Sequence, residues 1–169
     1  MQRILSYFFL LLVGTAMASN EKTVYGYIEK ATLIENDLTL SAKLDTGAKS
    51  ASLNATNIKE VTINGKPHLH FTVPSKQGDI PFTAEYIGDV SIKARAGEKL
   101  AYPVFRKAIK RPVVLLRLKL NNKERAIPVN LANRKRFIYP LLLGRDAIIA
   151  FNGIVDPSLK YTLSPKESN

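Results

Sequence analysis

Cysteine is absent from this 169-residue chain, which excludes disulfides, thiol nucleophiles and cysteine-based zinc sites. Histidine is scarce, with only His68 and His70, and no H-E-x-x-H or G-x-x-x-x-G-K-[ST] pattern occurs. The zinc-protease helix and the phosphate-cradling loop are therefore both missing. Acidic residues are outnumbered, 14 Asp and Glu against 25 Lys and Arg, giving a formal charge of +11. Such an excess attracts polyanions at long range. No apolar run approaches the roughly 20 residues that a membrane-spanning helix requires.

What is present is the balance of a folded protein, 46% hydrophobic and 23% charged, with no repeat or biased segment. The length suits one domain with a real core. The chain opens with Arg3, an apolar stretch from Tyr7 to Val13 and the small-x-small triplet Ala16-Met17-Ala18. That layout predicts a secretory signal peptide over residues 1–18, cleaved after Ala18. The domain then spans residues 19–169, in a periplasmic or secreted setting. The expected anionic partner there is a cell-envelope component or an acidic protein, and nucleic acid is not expected. Basic clusters at Lys107, Lys110, Arg111 and at Arg134, Lys135, Arg136 read equally well as solvated surface charge.

Short strands separated by turn signals dominate the remainder. Thr23–Glu29 reads as an edge-like strand. Leu38, Leu40, Ala42 and Leu44 alternate with Thr39, Ser41 and Lys43, so one face is buried and Asp45 continues the polar phase. Asn64-Gly65 joins Ile58–Ile63 to His68–Val73 as a tight hairpin, because both residues tolerate positive φ. Asn121-Asn122 joins Val113–Leu120 to Arg125–Leu131. Two more strands are expected over Pro81–Lys93 and Leu100–Phe105, and a helix over Asp146–Phe151. Many short strands and one late helix predict an all-β barrel or sandwich.

Asp45-Thr46-Gly47 follows the alternating strand directly. Locally it fits an Asx turn in which the Asp side chain bonds the following backbone and Gly47 supplies an unusual dihedral. The alternative is that Asp45 is half of a catalytic pair of carboxylates. Amide hydrolysis by that route needs two adjacent carboxylates sharing one proton, one to take a proton from water and one to polarise the carbonyl. The chain holds one D-T-G and no second D-[ST]-G. Asp146 and Asp156 are further carboxylates, but neither lies in that pattern.

Leu44-Asp45-Thr46-Gly47-Ala48 and Leu141-Leu142-Leu143-Gly144-Arg145-Asp146 resemble two separated stretches of the retropepsins, the retroviral-type aspartic proteases. The likeness is closer to a bacterial retropepsin-like family that carries the label ATP-dependent zinc protease. It extends through Gly26-Tyr27-Ile28-Glu29, Ala42 to Ala55, Arg111-Pro112-Val113-Val114, Tyr139 to Asp146 and Val155-Asp156-Pro157, nearly the whole mature chain.

The resemblance implies a closed acid-protease barrel with one short C-terminal helix, acting as an aspartic endopeptidase on a peptide or protein substrate. It implies a homodimer in which Asp45 from each copy meets at a two-fold axis, with Thr46 supporting the two loops and Gly47 leaving room for water. Ala48, Gly144 and Arg145 are implied as substrate contacts. The flap such an enzyme needs would come from Val90–Lys99 or from the Asn64-Gly65 hairpin. The family label names zinc and ATP, yet His68 and His70 share one strand face and supply only two ligands unless Asp79 or Glu85 joins them. Paired surface histidines are the simpler reading, and no metal or cofactor is expected. Lys43 and Lys49 flank Asp45 and favour its ionised form. A non-catalytic peptide- or envelope-binding domain on the same scaffold is therefore the alternative.

Overall fold

The computed structural model describes residues 21–92 and 109–163. The signal-peptide segment and the strand expected over Leu100–Phe105 lie outside these residues, as does most of the Val90–Lys99 flap candidate. No described helix is long and apolar enough to cross a membrane.

Eleven strands, one α-helix and a single 3-10 turn at Ile34–Asn36 are described. They run β1 (Thr23–Gly26), β2 (Ile28–Leu33), β3 (Leu38–Asp45), β4 (Ala51–Asn54), β5 (Thr56–Ile63), β6 (Lys66–Ser75), β7 (Gly78–Ile92), β8 (Ile109–Leu120), β9 (Lys123–Ala132), β10 (Leu141–Gly144), α1 (Arg145–Ala150) and β11 (Gly153–Asp156). Nine strands form one sheet in the order β2-β3-β10-β4-β9-β8-β7-β6-β5, and β2 also pairs with β8. That second pairing, Thr32 with Lys119 and Leu33 with Leu118, closes a six-stranded barrel. The all-β barrel with one short helix is thus the observed architecture. Strands β7, β6 and β5 continue beyond the ring as a flange, while β1 and β11 pair in parallel as a separate two-stranded sheet.

The core follows from the period-2 pattern. Leu38, Leu40, Ala42 and Leu44 of β3 are all buried, and Val114, Leu116, Leu118 and Leu120 of β8 face the same interior. Each such leucine contributes about 1.5–3 kcal/mol by leaving water. The Asn64-Gly65 hairpin is observed, with φ of 51° and 75° at its two turn residues. The single strand expected over Thr23–Glu29 is instead two, separated at Tyr27. The division follows from Gly26, where a Cβ would lie 2.6 Å from the Leu159 carbonyl oxygen, so the C-terminal segment crosses the backbone there.

Glu29 fixes that crossing. Although fully buried, its carboxylate accepts the Gly26 N–H at 2.7 Å, the Thr162 N–H at 3.0 Å and the Thr162 hydroxyl. A buried carboxylate is tolerated when several donors replace its water. Here they tie residues 159–163 to the β1–β2 bend.

Candidate active site

Strand β10 enters the sheet between β3 and β4, two strands that are consecutive in the chain. It runs parallel to β3, with Leu143 beside Leu44 and Gly144 beside Asp45, and antiparallel to β4, with Leu141 beside Leu53. The five residues linking β3 to β4 must therefore arch over the end of β10. Gly144 makes the arch possible, since a Cβ at that position would sit 2.6 Å from both the Lys49 and Ser50 carbonyl oxygens.

The start of α1 then holds the arch in place. The Arg145 N–H donates to the Ala48 carbonyl at 2.8 Å and the Asp146 N–H to the Lys49 carbonyl at 3.1 Å. The Arg145 guanidinium reaches the Thr46 and Gly47 carbonyls at 3.2 and 3.4 Å. Loop carbonyls that would otherwise wander are thus bound to a helix terminus and a cation.

Asp45 stands at the tip of this frame. Its Oδ1 accepts the Gly47 N–H at 3.0 Å, which is the expected Asx geometry. Gly47 does not adopt a positive φ, contrary to expectation; a Cβ there would instead meet Asp45 Oδ1 at 3.2 Å, so the glycine leaves space for the carboxylate. The side chain is 24% exposed, and Lys43 Nζ lies 3.6 Å from Oδ2. That pair is open to water and worth at most about 1 kcal/mol. Thr46 and Gly47 are exposed beside it.

Of the six residues expected at the site, the structure brings all together, but Ala48, Gly144 and Arg145 are engaged with the loop itself. Asp146 is exposed on α1, and the Asp156 carboxylate is occupied by the Ser158 N–H and hydroxyl, which hold it below its usual range. His68 and His70 lie on the flange, where His70 Nδ1 contacts the Thr83 hydroxyl at 2.6 Å. No group of three metal-binding side chains gathers among the described residues.

One cation was not anticipated as part of this region. The cluster holding Arg134 reads equally well as a polyanion-binding patch or as solvated surface charge, yet Arg134 is 6% exposed. Its N–H donates to Asn54 Oδ1 at 2.7 Å, its Nε to the Tyr139 carbonyl at 3.4 Å, and its guanidinium stacks 4.4 Å from the Phe137 ring centre. Burial lowers its affinity for a proton, Arg111 lowers it further, and Asp45 opposes the shift. Arg134 thus feels the charges of both Arg111 and Asp45. The sequence signal was there, two basic clusters in the same chain, but only pairing of β8 with β9 joins them.

The family model described as retropepsin-like aspartic endopeptidase RimB matches residues 24–166. Curated relatives include proteins named "Probable alpha-L-glutamate ligase" from Shewanella pealeana, 27% identical over 131 residues, and from Desulfotalea psychrophila, 30% identical over 128 residues. These alignments cover 75% and 73% of this chain but only 26% and 25% of the relatives, so the chain spans about a quarter of their length. A crystal structure of a Legionella pneumophila protein of unknown function (DUF785) superposes with a TM-score of 0.73 at 59% identity, covering 85% of this chain and all of that one. With the match reaching across residues 24–166, the chain belongs to the RimB-like family of retropepsin-like aspartic endopeptidases.

Proposed function

We propose that this chain is an exported retropepsin-like aspartic endopeptidase whose catalytic centre is completed by a second copy. The observation that supports it is a single D-T-G whose aspartate, about a quarter exposed, stands at the tip of a loop fixed by Gly144 and Arg145. A carboxylate carried on a loop whose backbone is pinned, yet open on one side, is suited to meet its twin across a two-fold axis. Thr46 and Gly47 are the residues that would face the partner loop. Ala48, Gly144 and Arg145 act as positioning residues rather than substrate contacts in this reading.

Two Asp45 carboxylates at contact distance share one proton. The ionised one accepts a proton from water as the oxygen attacks the amide carbon, and the protonated one donates to the carbonyl oxygen. As the tetrahedral diol collapses, the first carboxyl gives its newly acquired proton to the amine nitrogen while the C–N bond breaks, and a diol hydroxyl returns its proton to the second carboxylate as the C=O bond forms, restoring the shared-proton pair. The water-exposed Lys43 pair yields readily when the dyad forms. The net charge of +11 and the glutamate ligases among the relatives both support an acidic, glutamate-bearing segment as the substrate.

The test is hydrolysis of a glutamate-rich peptide, followed with sedimentation of the same sample. Asp45→Asn should abolish cleavage and leave the barrel folded. Undiminished hydrolysis by that variant, or full activity in a strict monomer, would remove the reading. The second reading, a non-catalytic binding domain on the same scaffold, draws on the Lys43–Asp45 ion pair. It is favoured if Asp45→Asn keeps its biological activity while the wild type cleaves nothing.

A further inference from the structure

Arg134 is a cation that the fold buries without an acid. Among the described residues it forms no ion pair, and its two terminal amino groups have no hydrogen-bond partner. Removing a guanidinium from water costs several kcal/mol unless an anion compensates. The side chain is nevertheless not slack: the Tyr139 carbonyl holds Nε and the Phe137 ring fixes the guanidinium plane. What remains free is the edge that makes two parallel N–H bonds to a carboxylate.

The surroundings continue the same pattern. Arg111 lies close enough to raise the cost of Arg134's charge, and it is anchored at 3.4 Å to Asn130 Oδ1. Asn130 in turn donates to the Ser50 hydroxyl at 3.3 Å and to the Ala51 carbonyl. Ser52 and Asn54 of β4 share one face, and Ser50 just before the strand is in phase with them. Ser50 is bonded to Asn130 and Asn54 to the Arg134 N–H. Between them the Ser52 hydroxyl, 4% exposed, is buried with no partner. Buried polar atoms are nearly always satisfied, and this orphan stands directly across the β4–β9 register from Asn130, the residue that anchors Arg111.

We infer that Arg134, Arg111 and Ser52 form a carboxylate-binding subsite beside Asp45, which holds an acidic group of the substrate next to the bond to be cleaved. The two guanidinium groups neutralise the carboxylate, and the Ser52 hydroxyl donates to it. The inference rests on Asp45 being the reacting centre, and it adds the residues that read the substrate. The carboxylate could come from a glutamate side chain or from the free end of the peptide; the chemistry of recognition is the same.

The test is calorimetric binding to the Asp45→Asn protein, which requires no turnover. Three acetylated hexapeptides separate the sources: glutamate side chains with an amidated end, glutamine side chains with an amidated end, and glutamine side chains with a free end. Tighter binding of the first than the second, by about tenfold or more, assigns the subsite to side chains. The same preference for the third over the second assigns it to chain ends. In either case Arg134→Met must erase the preference and Arg134→Lys must restore part of it. Arg111→Gln and Ser52→Ala leave the Arg134–Phe137 stack intact and should each weaken the preference, which carries the test if Arg134→Met does not fold. Equal binding of all three peptides overturns the inference, as does a preference that survives Arg134→Met or the Arg111→Gln, Ser52→Ala double variant. Carboxylate-selective binding by a protein whose wild type hydrolyses nothing would remove the catalytic reading alone.

Discussion

Gly144→Ala should be among the most damaging single-methyl changes in the described residues. Its Cβ would lie 2.6 Å from two backbone oxygens and 2.7 Å from the Lys49 carbonyl carbon, and none of these can rotate away. Relief requires the arch over β10 to rise by about 0.5 Å or more, a strain of about 1–3 kcal/mol. The same displacement stretches the Arg145-to-Ala48 and Asp146-to-Lys49 bonds, at about 1 kcal/mol each if lost. A total near 2–4 kcal/mol corresponds to a fall in Tm of about 5–15 °C for a domain of this size. Differential scanning calorimetry measures it, with Gly65→Ala as the control. Gly65 has φ of 75° and open space around its Cβ position, so that change costs only about 1 kcal/mol. A Gly144→Ala protein that melts within about 2 °C of the wild type would refute the close approach of the arch to β10.

The companion change, Gly47→Val, places its Cβ against Asp45 Oδ1, a side-chain atom that can turn aside. It should leave the Tm within about 3 °C while removing hydrolysis or dimerisation, as read by peptide cleavage and sedimentation. Glu29→Gln presents an amide to donors that now face a carboxylate, and should cost about 1–3 kcal/mol in urea unfolding. Protease digestion of that variant should open the C-terminal segment before the barrel. Asp156 is held below its ordinary range by Ser158, so its contribution is present above about pH 4 and is lost as pH falls through the lowered value. The stability difference between wild type and Asp156→Asn should therefore shrink on acidification, as followed by thermal melts between pH 7 and pH 2.

Several features could be read without a structure because their causes are local. Alternation of Leu38, Leu40, Ala42 and Leu44 with polar residues is the geometry of a half-buried strand. Asn64-Gly65 makes its turn from backbone freedom that those two residues carry wherever they stand. Asp45 bonds the Gly47 N–H two residues away, as a short acceptor before a glycine does in any chain. The Leu141-Leu142-Leu143-Gly144-Arg145 stretch likewise announced a strand running into a helix.

Only the tertiary structure decided what these pieces do together. Arg145 clamps carbonyls 98 and 99 positions away, because β10 threads between two strands that are neighbours in sequence, and no local pattern encodes that insertion. β4 looks like a weak, polar segment, yet all four of its residues are buried, since the barrel covers one face and the Arg134 region the other. Glu29 reads as an exposed strand charge and is instead wholly enclosed by donors from the chain's far end. Arg134 lost its water as well. A side chain's solvation depends on everything that packs around it; for Glu29 the partners arrive from the chain's far end, and for Arg134 the nearby Phe137 and Tyr139 act together with β4, which Asn54 ties to it from 80 positions away, so period and composition along one segment describe neither.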